Sequence, residues 1–281
     1  MSASPTSPRI GLALGAGGAR GLAHIVVLEV LDEMGLRPGA IAGASIGAVV
    51  GAPYAWGLSA RDIRAHTMDV TRDKARAMAR MLDARADRTG WLSGPILIDP
   101  EKFLSQFWPS GAPELIEDMA IPFAAVATDF YARKGVCLTS GRLRPAVAGS
   151  MAIPGLIKPV EHQGRALVDG ALVDPTPYES LLPISDVTIA CDVIGGPTPG
   201  EAATPDRVSA LFAATQILQR SVLNEKLARS RPDVLLRPKV DAVRTLDFLS
   251  AARVVRSVET ERDAMKREIE AALTAWSKKT A

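Results

Sequence analysis

Three short stretches of this sequence hold the residue types that nucleophilic catalysis requires. They are GLALGAGGARGLAH (residues 11–24), GASIG (residues 43–47) and VDGA (residues 168–171). A nucleophilic serine needs a base that takes its proton and hydrogen-bond donors that stabilise the oxyanion formed at a carbonyl. A serine, a carboxylate and a glycine-rich loop could supply one part each.

The serine lies in a G-x-S-x-G pattern, which is typical of a nucleophile elbow. Ile41 and Ala42 precede it as a short apolar strand, and a helix-like run of residues 46–56 follows. A sharp strand-to-helix turn would hold Ser45 in strained backbone and project its hydroxyl from the sheet, at a helix N-terminus that favours negative charge. The same pattern also fits a turn of small residues that only packs tightly, and the pattern alone does not decide.

The glycine-rich loop could cradle a phosphate or a transient oxyanion. A dinucleotide fingerprint requires G-x-G-x-x-G, and Arg20 occupies its last glycine position. The acid that would bind ribose is missing between Glu33 and Asp62, and no Gly-Lys-Ser/Thr follows for a P-loop. Both nucleotide interpretations are therefore disfavoured, although backbone N–H groups at a helix N-terminus still predict a site for negative charge.

Three histidines and one aspartate are the candidate bases. α/β-Hydrolases place their histidine late in the chain, and nothing after His162 qualifies. We expect His24 to pack or cap within the first helix, His66 to be solvated and His162 to be exposed in a turn. Asp169 ends an apolar strand and precedes a glycine, so its carboxylate could face the carboxyl edge of a sheet and accept a proton. An Asp-Gly turn without chemistry is the alternative.

The elements that must position these residues alternate between strands and helices. Short apolar runs predict buried strands at residues 10–14, 41–42, 123–128, 135–138, 166–168, 187–193 and 233–238. Helical spacing of apolar residues predicts helices over residues 22–34, 46–56 and 211–227, and a long C-terminal helix. Two strand–turn–helix units in succession predict an α/β fold with a mainly parallel central sheet flanked by helices.

A helical and loop-rich insertion at about residues 61–120 is predicted to lie over this sheet. Its charged part places four apolar residues at i, i+3, i+4 and i+7 of one helix face, namely Ala75, Met78, Ala79 and Leu82. Such a helix could dock on anionic lipid, or it could be a solvated helix that covers the core. No linker divides the chain, so we expect a disordered tail at residues 1–8 and a single domain over residues 9–281.

Bulk composition excludes several classes of function. The net charge of +2 gives no general case for nucleic-acid binding. The two cysteines match no metal or redox spacing, and the N-terminus has no secretory pattern, so a cytoplasmic protein is expected. Residues 39–60 carry no charge, but their Gly, Ala, Ser and Pro content indicates a buried strand–turn–helix rather than a membrane span.

Taken together, the motifs GGARG (residues 17–21), GASIG (residues 43–47) and DGA (residues 169–171) resemble the patatin-like phospholipase family in order and spacing. Weaker similarities are AVATD, GSMAIPG and RPDVLLRP, at residues 125–129, 149–155 and 231–238. The resemblance covers roughly residues 9–260 and is greatest to the small bacterial single-domain members. It implies a three-layer α/β/α fold.

The resemblance also implies roles for individual residues. Ser45 would be the nucleophile and Asp169 the base of a Ser-Asp dyad, while Arg20 would fix the oxyanion loop or add positive charge. The oxyanion would be bound by the N–H groups of Gly17, Gly18 and Ala19, with a contribution from that of Ile46. The remaining motif positions are Gly21, Gly43, Gly47, Gly170 and Ala171. No metal or organic cofactor is implied.

The function that the resemblance implies is that of a serine lipid acyl hydrolase acting on phospholipid, lysophospholipid or neutral ester. A lipid substrate also implies peripheral contact of the protein with a membrane surface, at the inner membrane face. Two alternatives stay open: a general carboxylesterase or thioesterase for soluble acyl groups, and a regulatory protein that retains the fold. The sequence departs from the usual pattern of the family at Ala44 and at residues 173–177, and neither departure affects a catalytic position. Asp129, Asp174 and Asp192 are expected to be structural.

Overall fold

One mixed sheet organises the part of the chain that the structure describes. The structure is a computed structural model, and it describes residues 7–85, 98–196, 204 and 207–280. The strands are β1 Ile10–Leu14, β2 Ala40–Ala44, β3 Phe123–Asp129, β4 Lys134–Leu138, β5 Val160–His162, β6 Arg165–Asp169, β7 Val187–Cys191 and β8 Val234–Leu236. They are hydrogen-bonded in the succession β5–β6–β3–β2–β1–β7–β8, and β4 also pairs with β3.

The sheet is parallel from β3 through β2, β1 and β7 to β8, and antiparallel where β4, β5 and β6 join it. β1, β3 and β7 are buried at every position. Continuous apolar runs are what parallel strands require, because helices cover both of their faces. The predicted mainly parallel α/β sheet is confirmed.

The described helices are α1 His24–Glu33, α2 Ile46–Ala55, α3 Ala60–Arg72, α4 Lys74–Asp83, α5 Pro100–Phe107, α6 Leu143–Ser150, α7 Arg207–Arg229, α8 Ala251–Glu259 and α9 Arg262–Thr280. They flank the sheet on both faces. Large side chains of the central strands pack with α1, α2, α6, α8 and α9, whereas small ones such as Ala13 and Ala190 pack on the other face with Leu223 of α7. The three-layer α/β/α arrangement is therefore confirmed.

Both strand–turn–helix units at the start of the chain form where the sequence predicts them. β1 has the predicted bounds, whereas α1 begins at His24 because residues 18–23 wind as a 3-10 turn. The uncharged stretch of residues 39–60 contains β2, a turn and α2, and its side chains are mostly buried. Among the helices of the described residues, none is long and apolar enough to cross a bilayer.

The described part of the insertion contains the three helices α3, α4 and α5, and one predicted helix face is oriented differently from what the spacing suggests. α3 and α4 are separated at Asp73, whose side chain accepts a hydrogen bond from the N–H of Arg76 and caps α4. The apolar face predicted from Ala75 to Leu82 is exposed, and α4 buries Ala77 instead. Residues 86–97 of the insertion, and residues 1–6 of the predicted tail, lie outside the described residues. The single domain over residues 9–281 stays a prediction.

Candidate active site

The pairing of β3 brings the ends of β2 and β6 together. Ala125 pairs with β2 and with β4, and Ala127 pairs with β6 and with β4. Because a strand has one neighbour on each side, β2 and β6 must follow one another along the same edge of β3. β2 runs parallel to β3 and β6 runs antiparallel, so their carboxyl ends meet. Ser45 follows β2 and Asp169 ends β6, which places the two side chains face to face.

A direct hydrogen bond joins these two residues. Ser45 Oγ donates to Asp169 Oδ2 at 2.6 Å, and the N–H of Ala171 donates to Asp169 Oδ1 at 2.8 Å. Both side chains are buried, each residue being 4% exposed. Burial raises the pKa of Asp169 to about 6, against the lowering effect of the two hydrogen bonds. The carboxylate can therefore take a proton from the serine near neutral pH.

Backbone strain at Ser45 matches a nucleophile elbow. Its φ of 55° and ψ of −123° lie in a region that non-glycine residues rarely adopt and that costs about 1–3 kcal/mol. A Cβ at Gly47 would lie 2.0 Å from Leu14 O, and one at Gly43 would lie 2.6 Å from Ala48 Cα. Glycines on both sides of the serine are thus required by the close approach of α2 to β1 and by the tightness of the turn itself.

Two hydroxyl residues that the sequence reasoning missed hold the backbone of the dyad. Ser150 Oγ accepts a hydrogen bond from the N–H of Ser45 at 2.9 Å and donates to Val126 O at 2.6 Å. Thr128 Oγ1 donates to Asp169 O at 2.8 Å. Ser150 lies in GSMAIPG, which was noted only as a weaker similarity, so the one signal for it was its place in that segment.

The glycine-rich loop approaches other backbone so closely that side chains cannot fit. A Cβ at Gly17 would lie 2.3 Å from Val193 O, and Gly18 has a φ of 59° and would meet Thr245 O at 2.2 Å. In the part of the chain that the structure describes, the N–H groups of Gly17 and Gly18 have no acceptor. The N–H of Ala19 donates to Thr245 O at 2.7 Å. The expectation that Ala19 donates to an oxyanion therefore fails in this conformation.

Arg20 fixes the loop rather than facing the dyad. The residue is 2% exposed, and its guanidinium donates to the carbonyl oxygens of Val243, Ile194 and Gly196. Burial lowers the pKa of Arg20. Of the two roles implied for this residue, the contacts favour that of holding the loop against the chain after β7.

No histidine is hydrogen-bonded to the dyad among the described residues. His24 is buried and donates from Nε2 to Gly15 O at 2.8 Å, and burial lowers its pKa to about 4, so it packs as expected in the neutral form. The solvation expected for His66 and the exposure expected for His162 were wrong, whereas His162 does border a hairpin turn, since it pairs with Arg165 across residues 163–164. His66 is half-buried and lines a pocket beside Ser45, and His162 is half-buried at the end of β5.

The three other aspartates considered are engaged in ion pairs or backbone capping. Asp192 is paired with Arg220 and Arg237, Asp174 with Lys226, and Asp129 with Arg165. These ion pairs give the three carboxylates structural roles, so no catalytic role is needed to account for them. Over residues 7–85, 98–196 and 207–280, no group of histidine, cysteine or acidic side chains could hold a metal ion.

An apolar pocket with about 950 Å³ of empty space, its solvent mouth included, opens on Ser45. Gly18 of the loop lies on its lining, as do residues of α2, α3, α4, α5 and the turn Phe248–Ser250. Its apolar walls include Val49, Ile63, Met81, Phe107, Trp108 and Phe248. The helices of the predicted insertion therefore form much of the wall of this pocket.

Comparison with known proteins agrees with this geometry. A family model described as Patatin-like phospholipase matches residues 12–182. An NTE family protein of Mycobacterium tuberculosis is 40% identical over 204 residues, which are 72% of this chain and 54% of that protein. Lysophospholipase NTE1 of Mycosarcoma maydis is 34% identical over 62% of this chain and 9% of its own length. The chain thus spans about half the length of the mycobacterial relative.

A solved structure extends the similarity to the fold. VipD from Legionella pneumophila matches with a TM-score of 0.51 and 14% identity, over 94% of this chain and 67% of that one. At this identity the match supports the fold alone.

Proposed function

This chain belongs to the patatin-like phospholipase family, and we propose that it hydrolyses acyl esters of lipids through a Ser45–Asp169 dyad. The observation that carries the proposal is the 2.6 Å hydrogen bond from Ser45 Oγ to the buried carboxylate of Asp169, next to an apolar pocket. The elbow strain and the two acceptor-free amides of the glycine-rich loop support it.

The first half of the reaction forms an acyl-enzyme. Ser45 Oγ attacks the carbonyl carbon of the ester while Asp169 takes the hydroxyl proton. The tetrahedral oxyanion accepts hydrogen bonds from the N–H groups of Gly17 and Gly18, and from that of Ile46 at the N-terminus of α2, which has no acceptor among the described residues. The intermediate then collapses, the bond to the alcohol breaks, and Asp169 returns the proton to the leaving oxygen.

The second half releases the acid. Asp169 takes a proton from a water molecule, which attacks the acyl carbonyl, and the same amides stabilise the second oxyanion. Ser45 leaves and recovers its proton from Asp169, so both residues end as they began. A pKa of about 6 suits a residue that must accept and return a proton at neutral pH.

The pocket favours a lipid acyl chain as the substrate group. Its walls are almost wholly apolar, so burial of a hydrocarbon chain is favourable at about 25 cal/mol per Å². Relatives named lysophospholipase add support for a phospholipid or lysophospholipid. We assign α3, α4 and α5 as the wall that covers the acyl chain of the substrate. We also propose that the protein is cytoplasmic and makes peripheral contact with the inner membrane face.

A carboxylesterase or thioesterase for soluble acyl groups is the second candidate, because the dyad would serve it equally well. The apolar lining of the pocket beside Ser45 favours lipid. A regulatory protein would need neither the strained Ser45 nor a buried carboxylate hydrogen-bonded to it, so that alternative has the least support.

Labelling and substrate choice test the proposal. A fluorophosphonate probe should form an adduct on Ser45, found by peptide mass spectrometry, and Ser45→Ala should abolish it whereas Ser185→Ala should not. Asp169→Asn should lower ester hydrolysis by at least about 10³-fold. Release of fatty acid from lysophospholipid micelles should exceed hydrolysis of short soluble esters and acyl-CoA. Labelling elsewhere, or full activity in Asp169→Asn, would refute the dyad.

A further inference from the structure

The hairpin between β3 and β4 presents two aromatic side chains to solvent. Phe130 is 55% exposed and Tyr131 is 80% exposed. Their rings pack edge to face with centroids 5.3 Å apart. Large exposed aromatic side chains in contact with each other are uncommon on a protein surface and mark interaction sites.

The tip is held rigidly by its own backbone. The N–H of Arg133 donates to Asp129 O at 2.8 Å, and the N–H of Ala132 donates to Asp129 Oδ1 at 3.0 Å. The N–H of Phe130 donates to Ala166 O of β6 at 2.9 Å. The aromatic pair is therefore carried by a hydrogen-bonded turn, so little backbone ordering opposes its insertion into a lipid interface.

Positive charge accompanies the aromatic pair. Arg133 and Lys134 are exposed, and neither forms an ion pair with another described residue. The segment 130–134 contains no acid, and Asp129 beside it is paired with Arg165 at 3.6 Å. Aromatic rings next to Lys and Arg are the side chains that prefer the interface of an anionic bilayer.

The tip lies at the edge of the sheet that carries the dyad. Val126 of β3 pairs with Ala44, directly before Ser45, and β3 continues for three residues to Asp129. At about 3.3 Å per residue the tip extends roughly 10 Å beyond the elbow. By contrast, the exposed Ile184 precedes β7 and so lies at the opposite edge of the parallel strands.

From these observations we infer that the β3–β4 tip, residues 130–134, docks the protein on a bilayer that contains anionic lipid. The aromatic rings enter the headgroup region while Arg133 and Lys134 contact lipid phosphates. The inference rests on the proposed function in one respect: a lipid hydrolase must meet its substrate at a bilayer, and this tip projects from the edge where Ser45 lies.

Vesicle binding tests the tip without any turnover. The full chain with Ser45→Ala is sedimented with phosphatidylcholine vesicles containing or lacking phosphatidylglycerol. Phe130→Ser/Tyr131→Ser and Arg133→Gln/Lys134→Gln should each lower partitioning onto the anionic vesicles by roughly tenfold. The matched controls Ile184→Ser and Lys278→Gln/Lys279→Gln should change it less than about twofold. Tip variants that bind like the parent, or a parent that does not bind, would overturn the inference.

A local probe covers the case in which a tip variant misfolds. An environment-sensitive fluorophore is attached at Tyr131→Cys in a chain that also carries Cys137→Ser, and at Ile184→Cys as the control. Anionic vesicles should brighten and blue-shift the label at position 131 and leave that at position 184 unchanged. An unchanged label at position 131 would favour a protein partner for the tip and would refute lipid docking.

Activity separates this inference from the proposed function. With Ser45 present, the tip variants should hydrolyse a soluble p-nitrophenyl ester within about twofold of the parent rate, and should lose about tenfold on vesicle substrate. A parent that hydrolyses no ester but shows tip-dependent vesicle binding would refute the proposed function alone. A parent that is active on vesicles with no effect of the tip would refute the docking alone.

Discussion

Burial and hydrogen bonding act in opposite directions on the carboxylate of Asp169, and burial prevails. The pKa of about 6 means that the free enzyme loses its base as the pH falls through that value. We expect kcat/KM for a soluble ester to be flat above about pH 7 and to fall about tenfold per pH unit below about pH 5. Rates over pH 4–9 would check this. A profile controlled by a pKa near 4, that of an ordinary aspartate, would contradict the assignment of Asp169 as the buried base.

The same residue should lower the stability of the fold at neutral pH. The pKa of Asp169 is about 6 in the folded state and 3.8 as its ordinary value, so the folded state binds more protons between these two pH values. Stability is therefore lost as the pH rises through this window, by about 3 kcal/mol for the ionised form. Asp169→Asn should be more stable than the parent at pH 8 by up to about that amount, and should lose most of this advantage at pH 4.

Urea unfolding at the two pH values measures this difference. Asp186→Asn is the matched control of opposite sign, because hydrogen bonds from Arg9 lower the pKa of Asp186. Its folded-state stabilisation is present above the ordinary pKa and is lost only as the pH falls through the lower folded-state pKa, so the substitution should destabilise the protein at pH 8 and keep most of that effect at pH 4. If Asp169→Asn were less stable than the parent at pH 8, the unfavourable burial of its charge would be disproved.

At the scale of elements, the elbow depends on how closely α2 approaches β1. A Cβ at Gly47 would lie 2.0 Å from Leu14 O, which is backbone and cannot move without displacing the strand. Gly47→Ala should therefore lower the free energy of unfolding by about 3 kcal/mol or more and abolish Ser45 labelling. Chemical denaturation followed by fluorophosphonate labelling measures both.

Gly39→Ala is the control for that substitution. Gly39 directly precedes β2, and the nearest atom to its Cβ position is Ile10 O at 3.7 Å. The Gly39→Ala variant should lose less than about 1 kcal/mol of unfolding free energy, and fluorophosphonate should label its Ser45 at the parent rate. Equal losses in the two variants would show that the close approach of α2 to β1 is not what fixes the serine.

Local elements were predictable from the sequence, and contacts between distant segments were not. β1, β2 and α2 form as predicted because apolar runs and glycines lie within one strand–turn–helix unit. The hydrogen bonds from the N–H of Ser45 to Ser150 Oγ, and from the N–H of Ala19 to Thr245 O, join segments far apart in the chain and depend on how the sheet brings them together. No periodicity within a segment can specify them.

The buried face of a helix was predictable only where its apolar residues lie on a single side. α4 has apolar residues on more than one face, so spacing alone did not decide which would be buried. Met81 lines the pocket, while Met78 is 47% exposed. Docking of this exposed face on lipid stays a prediction.

At the scale of the whole molecule, a partly buried ion-pair network joins the end of the chain to its beginning. Glu29 of α1 accepts hydrogen bonds from Arg64 of α3 and Arg262 of α9, and its side chain is 12% exposed. Arg64 also contacts Glu259 of α8. The helices that carry the pocket wall and the C-terminus are thus tied through one carboxylate, unlike isolated surface pairs that contribute little.

Removing that carboxylate should weaken the fold as a unit. Glu29→Gln leaves two half-buried guanidinium groups without their shared partner, and we expect the free energy of unfolding to fall by about 1–3 kcal/mol. Glu270→Gln, at an exposed position of α9 with no ion pair to a described residue, should change it by less than about 0.5 kcal/mol. Urea unfolding at low and high salt measures both, and the loss at Glu29 should persist in high salt because burial limits screening. A loss that disappears with added salt would reduce the contribution of Glu29 to that of an ordinary surface ion pair.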